Sequence, residues 1–333
     1  MNQTVAVLGG GGWGTALALL LHSQGHCVRV WGPFADEIAA IKRDRVNALY
    51  LPDVPLPADL VWTADPVEAA DDVDLAVAAV PTHYFRDALI PFAKVLPSGC
   101  PVLSVSKGFD PKTHGRMSEV VIETLGPRPV AALSGPSHAA EVARGQPTAV
   151  VIASADHGLT KALQTLFMNT FFRVYTSDDI IGVELGGGLK NVIAIAVGAC
   201  DGLGFGDNTR AALITRGLAE MTRIGVALGA RADTFAGLSG VGDLIVTCTS
   251  RWSRNRQVGL RLGKGESITT IRAGMKQVAE GIWNCTLVRD LADRAGVRAP
   301  ITRQVCALIH EDLDPRQAVR LLMERDARPE RDD

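Results

Sequence analysis

Six short apolar runs punctuate the first half of the chain, at 4–8, 27–31, 74–80, 102–106, 130–134 and 148–153. They are short for helices and too continuously apolar for strands with one wet face, which predicts strands covered on both sides. Helical or loop-like stretches separate them, and Pro or Gly follows closely on several, as at Val80-Pro81 and Ser134-Gly135. Such alternation predicts a mostly parallel sheet wound by helices on both faces. The strand ends near Val80, Ser106 and Ser134 would then border the crevice where ligands bind in sheets of this kind. From about residue 178 the apolar spacing becomes helical, over 210–228, 278–295, 301–311 and 314–325. The second part is expected to be all helices.

Directly after the first strand comes Gly9-Gly-Gly-Gly-Trp-Gly14, followed by Thr15-Ala-Leu-Ala-Leu-Leu-Leu21. Gly9, Gly11 and Gly14 satisfy the G-x-G-x-x-G spacing between a strand and a helix, the setting in which it binds a dinucleotide. Gly9 allows the tight turn, Gly11 lets a pyrophosphate reach the backbone, and Gly14 lets helix and sheet touch. The helix start offers free N–H groups to the phosphates. The expected organisation is α/β: a Rossmann-type, doubly wound NAD(P)-binding domain over 1–180, a helical substrate and catalytic domain over 181–327, and a charged tail over 328–333. The second strand ends Trp31-Gly32-Pro33-Phe34, with no acid before Asp36 and no arginine beside it. Arg43 and Arg45, farther on, either reach a 2′-phosphate or form a solvated face. On the text alone the site is open to NADP or NAD.

Net charge narrows the partners. Lys plus Arg number 34 against 36 for Asp plus Glu, so no global field draws the chain to nucleic acid or an anionic membrane. Six scattered cysteines without C-x-x-C or metal-ligand spacing predict reduced structural thiols and no metal. A strand beginning within five residues of the start leaves no signal peptide, and the apolar run 192–200 is too short to span a bilayer. The expectation is a cytoplasmic protein with no membrane insertion.

The chemistry points to Lys190, the one ionisable side chain in Leu185-Gly-Gly-Gly-Leu-Lys-Asn-Val-Ile-Ala-Ile-Ala-Val-Gly-Ala-Cys200 apart from the Cys200 thiol. A lysine there either snorkels to water or is buried as a group that trades its proton. Lys107 follows a strand and precedes Gly108, and is either a ligand contact at the sheet edge or an ordinary loop lysine. Ser134-Gly-Pro-Ser-His138 forms a second edge, with backbone N–H groups and the Ser137 hydroxyl. Gly240-Val-Gly-Asp243 presents a carboxylate suited to fixing Lys190 or a substrate hydroxyl. Thr247-Cys-Thr-Ser-Arg-Trp-Ser-Arg-Asn-Arg256 interleaves three arginines with hydroxyls and an amide, as a phosphate site does. Together these predict hydride exchange at a secondary alcohol of a phosphorylated small molecule, with lysine as acid and base.

The stretches Gly9–Ala18, Ser106-Lys-Gly108, Ser134-Gly-Pro136, Gly188–Ile195, Gly202–Gly206, Gly242-Asp-Leu244, Ser253-Arg-Asn255 and Glu280-Gly281 resemble bacterial NAD(P)-dependent glycerol-3-phosphate dehydrogenase. The resemblance runs in order from about residue 4 to 325. It implies interconversion of sn-glycerol 3-phosphate and dihydroxyacetone phosphate, supplying glycerol 3-phosphate for phospholipid synthesis, in a homodimer. It also implies roles: Lys190 as catalytic proton acceptor, and Lys107 touching cofactor and substrate. Gly135, Ser137, Asn191, Asp243, Ser253, Arg254 and Asn255 fall among substrate contacts, with Arg254 also near the cofactor. Gly12, Trp13, Pro33, Ala139, Val278 and Glu280 fall among nucleotide contacts. Gly12 stands where Ser is common, and Pro33 where His or Arg is frequent. Two other readings stay open: a related hydroxyacid or sugar-acid dehydrogenase, and a nucleotide-sensing module without catalysis.

Overall fold

The computed structural model describes residues 2–275, 277–327 and 329–330. Of the charged tail, Arg328 and 331–333 lie outside the described residues. The chain forms two compact units, Met1–Gly188 with Leu228–Asp243, and Leu189–Ala227 with Leu244–Asp333.

The first unit contains β1 (Thr4–Leu8), α1 (Gly12–Ser23), β2 (Cys27–Trp31), α2 (Ala35–Asp44), β3 (Val46–Asn47), β4 (Leu51–Pro55), β5 (Val61–Thr63) and α3 (Pro66–Ala70). It continues with β6 (Leu75–Ala78), α4 (Thr82–Leu89), β7 (Val102–Ser104), α5 (Met117–Leu125), β8 (Val130–Ser134), α6 (Ala139–Val142), β9 (Thr148–Ala153), α7 (His157–Phe167) and β10 (Phe172–Ser177). Eight strands form one sheet in the order β10-β9-β8-β7-β6-β1-β2-β5, with every pairing parallel except β8 with β9. The expected doubly wound architecture is therefore the observed one. Side chains of β1 go alternately to the two faces. Val5 and Val7 enter the core with Leu17 and Leu21 of α1 and Leu163 of α7. Ala6 and Leu8 enter the opposite core with Phe85 of α4 and Val120 of α5. Burial on both faces accounts for the unbroken apolar runs. The text gave no strong sign of β5 or of the β3–β4 hairpin, which is only two residues long on one side.

Helix α8 (Ile180–Gly202) contributes to both units. In the first unit Glu184 is buried, accepting hydrogen bonds from the N–H and hydroxyl of Ser118 at 2.8 and 2.6 Å, with the Arg116 guanidinium 2.8 Å away. It thereby satisfies one of the free N–H groups at the start of α5. Burial still pushes this carboxyl above the ordinary glutamate range.

The second unit adds α9 (Asp207–Ala227), α10 (Asp243–Thr249), α11 (Arg254–Gly263), α12 (Ile268–Ala273), α13 (Glu280–Arg294), α14 (Pro300–His310) and α15 (Pro315–Met323), with Asp243 itself in the first unit. Its organising contact is between α8 and α11. A Cβ on Gly198 would stand 2.1 Å from the Arg256 carbonyl oxygen, and one on Gly202 would stand 2.3 Å from that of Leu260. Reciprocally, one on Gly259 would lie 2.0 Å from the Ile195 oxygen and one on Gly263 2.2 Å from that of Ala199. Two glycines spaced by four on each helix thus bring backbone against backbone. Helix α8 is long and apolar enough to cross a membrane, yet 89% of its most apolar window is buried inside the protein. Its run of glycine and aliphatic residues serves helix packing. Glu220 of α9 anchors α14, accepting from the N–H groups of Ile301 and Thr302, each at 2.9 Å.

Candidate functional site

The glycine turn follows β1, in a sheet where β1 pairs with β2 on one side and β6 on the other. Gly9 has φ +121°, and a Cβ there would fall 2.5 Å from the Ala79 oxygen, so no other residue fits. A Cβ at Gly14 would overlap the Gly9 oxygen at 1.9 Å. At Gly11 it would meet nothing within 4 Å, leaving the backbone open to a ligand, while Tyr50 and Ala139 stand 3.6 and 3.7 Å from the equivalent point on Gly12. Helix α1 starts without a side-chain cap and without an acid in its first turn. The Trp13 indole N–H is buried and finds no acceptor among the described residues. An uncapped helix start, an open glycine and a spare donor fit a pyrophosphate.

Asn47 was not singled out from the sequence. It is buried, and its amide donates to the Gly10 oxygen at 2.8 Å and to the Thr15 hydroxyl at 2.9 Å. Thr15 in turn donates to the Gly11 oxygen at 2.9 Å. The short hairpin thus latches the glycine turn. No spacing rule marks such a residue, because the contact spans 37 positions. Pro33 is exposed, in the corner between β2 and α2.

Lys107 lies just beyond the carboxyl end of β7. Its ammonium donates to the Gly135 oxygen at 2.8 Å and to Asp243 at 2.7 Å, with the Ser137 hydroxyl 3.4 Å away. Asp243 is 1% exposed. The bland reading of Lys107 as a solvated loop lysine is thereby excluded, and Asp243 holds Lys107. Gly135, at φ +129°, turns the chain so that its carbonyl and Ser137 meet the ammonium. The first unit therefore gathers Lys107, Gly135, Ser137 and Asp243 into one polar cluster.

In the second unit Lys190 is 5% exposed, among buried Leu189, Val192 and Ile193. Its ammonium donates to the Thr247 hydroxyl of α10 at 2.7 Å. The side chain does not snorkel to water. Next to it, Asn191 is buried and accepts from the Asn255 amide at 2.8 Å, and Asn255 accepts from the Gly281 N–H at 2.9 Å. These bonds tie α8, α11 and α13 together around Lys190. Ser253 caps α11, accepting from the Arg256 N–H, and Arg254 is the first, exposed residue of that helix. Of the three arginines in the run, Arg256 is turned to Asp201 at 2.6 and 2.9 Å, where Arg210 also binds. Arg256 is thus held by an acid, Arg251 lies over the Trp252 ring at 4.9 Å, and Arg254 stands at the helix start. Val278 is partly buried in the segment before α13, and Glu280 opens that helix. Cys200 is buried, which pushes its thiol up to about 11 and leaves it a poor nucleophile.

Profiles of the NAD-dependent glycerol-3-phosphate dehydrogenase N-terminus and C-terminus match residues 4–160 and 179–320. The chain belongs to the NAD-dependent glycerol-3-phosphate dehydrogenase family. A glycerol-3-phosphate dehydrogenase [NAD(P)+] from Nitratidesulfovibrio vulgaris (strain DP4) is 50% identical over 98% of this chain and 99% of its own length. One from Moorella thermoacetica is 47% identical over 98% of this chain and 97% of its own. The crystal structure of glycerol-3-phosphate dehydrogenase from Coxiella burnetii superposes with a TM-score of 0.94 at 41% identity, covering 97% and 99% of the two chains. The dehydrogenase resemblance of the motifs thus extends over nearly the whole chain, both in sequence and in fold.

Proposed function

We propose that this chain interconverts sn-glycerol 3-phosphate and dihydroxyacetone phosphate with NAD or NADP, and that Lys190 moves the proton. The observation that carries the mechanism is the buried Lys190 ammonium held by Thr247, in a chain whose two halves match this dehydrogenase family. A bound nicotinamide would supply hydride to the ketone carbon or take it from the carbinol carbon. As the ketone is reduced, Lys190 donates to the carbonyl oxygen; in the reverse direction it takes the hydroxyl proton. Thr247 orients the Lys190 nitrogen. Asn191 and Asn255 are polar neighbours for substrate hydroxyls, while the α11 start, with Ser253 and Arg254, holds the phosphate. Lys107, with its charge balanced by Asp243, contacts both ligands beside Gly135 and Ser137. Gly9, Gly11, Gly12, Trp13, Gly14, Pro33, Ala139, Val278 and Glu280 are the nucleotide contacts. The reading includes a cytoplasmic homodimer that feeds phospholipid synthesis.

The test is turnover of dihydroxyacetone phosphate by purified protein with NADH and with NADPH. We expect oxidation of at least one reduced nucleotide, and no comparable activity with unphosphorylated dihydroxyacetone. Arg254→Ala should raise KM for the phosphorylated ketone by about 10–100-fold, the worth of a charge-assisted hydrogen bond. Absence of turnover with either nucleotide at saturating substrate would refute the reading. An unchanged KM in Arg254→Ala would move the phosphate elsewhere.

A further inference from the structure

The corner where β2 ends decides which dinucleotide is preferred. In a Rossmann-type sheet this is where the adenosine ribose lies: a carboxylate takes its 2′-hydroxyl, or an arginine takes a 2′-phosphate. Here residues 33–37 are all exposed, and Phe34 is 62% exposed at the cap of α2. Two of them, Asp36 and Glu37, stand in the first turn of α2. The neighbouring strand adds to this. β2 pairs in parallel with β5, Trp31 opposite Thr63, and the Gly32 N–H donates to the Thr63 oxygen. The chain leaving β5 beside Gly32 carries Asp65 and Glu68, both exposed, with Asp65 capping α3 and Glu68 accepting from the Thr63 hydroxyl.

The basic residues of this region lie at the other end of α2. Lys42 and Arg43 are in its last turn, about 9 Å along the axis from Asp36 at 1.5 Å per residue. Arg43 is engaged by Asp44 at 2.7 and 2.8 Å, and Arg45 ends the helix in a left-handed conformation. The helix dipole at the start of α2 would favour an anion, but Asp36 and Glu37 already occupy that field. A 2′-phosphate would thus meet carboxylates from two adjacent chain segments. A ribose with free hydroxyls would meet acceptors.

We propose that this chain discriminates against the 2′-phosphate and prefers NAD(H) to NADP(H), with Asp36 and Glu37 as the selecting groups and Asp65 and Glu68 reinforcing them. The proposal rests on the dinucleotide reading of the glycine turn and goes beyond it by naming the specificity residues. The discrimination is mainly repulsive, so it should weaken as salt screens exposed charges.

Isothermal calorimetry with NADH, NADPH and ADP-ribose, without substrate, tests it. At low ionic strength NADPH should bind about tenfold or more weakly than NADH, as like-charge juxtaposition requires. The ratio should shrink in high salt, and shrink to about threefold or less in the double variant Asp36→Asn/Glu37→Gln. A Pro33→Arg variant should tighten NADPH more than NADH. The proposal is overturned if NADPH binds the parent as tightly as NADH, or if neutralising both acids leaves the ratio unmoved. Failure of all three ligands, ADP-ribose included, would instead overturn the dinucleotide reading and this proposal with it.

Discussion

Lys190→Ala is expected to lower kcat by about 10²–10⁴-fold, the usual contribution of a positioned acid–base group. NADH binding, measured separately, should stay near the parent value. The expectation follows from burial. Lys190 is 5% exposed, with buried Leu189, Val192 and Ile193 beside it on the helix, and an amine is costly to hold there. A group kept at such cost is kept for chemistry, so removing its nitrogen while retaining the stem should not harm the fold. Lys190→Met is therefore expected to melt at or above the parent temperature while remaining as inactive as the alanine variant. The space left in Lys190→Ala should admit a small primary amine, and added methylamine should restore part of the rate. A Lys190→Ala enzyme within about tenfold of the parent kcat would assign the proton to another group.

Gly259→Ala should unfold the helical unit more readily, by about 3 kcal/mol or more, because the added carbon overlaps a backbone oxygen and no rotamer can relieve it. That corresponds to a fall in melting temperature of about 4 °C or more for a chain of 333 residues, measurable by circular dichroism. The new Cβ would lie 2.0 Å from the Ile195 oxygen, so α8 and α11 must part. Asn191 lies four residues before Ile195 on α8, and Asn255 four before Gly259 on α11. The 2.8 Å bond between them sits one turn away from the forced contact, and kcat should fall along with stability. Gly198→Ala meets the Arg256 oxygen across the same seam. One separation relieves both overlaps, so the double variant should lose less than the sum of the single losses. A parent-like melting curve for Gly259→Ala would contradict the close helix contact.

The wound sheet was legible because β1, β6, β7, β8 and β9 are largely buried on both faces and read as continuous apolar runs, while β2 keeps the same apolar texture around a half-buried Arg29. Gly9, Gly11 and Gly14 were legible because turn, open backbone and helix contact each demand glycine at a set spacing. Lys190 stood out as a lone charge in an apolar stretch. What stayed hidden depends on contacts far apart in sequence. Asn47 gripping Gly10, Thr247 under Lys190 and Asp243 against Lys107 leave no periodic trace. Arg256 looked like a phosphate ligand because an arginine among hydroxyls reads alike whether it meets a substrate or Asp201. The turn to helical texture near residue 178 marks where strands stop. It does not mark where contacts change, since 228–243 returns to the first unit. The acidity around the end of β2 was only half visible, as Asp65 and Glu68 arrive by strand pairing.

The latch from Asn47 has a consequence for how the nucleotide arrives. With the Gly10 carbonyl and the Thr15 hydroxyl already gripped by one rigid amide, the turn keeps its receptive shape in the empty enzyme. Little ordering entropy then remains to be spent when the diphosphate lands. Docking can proceed as a fit to a ready-made seat rather than as a folding event.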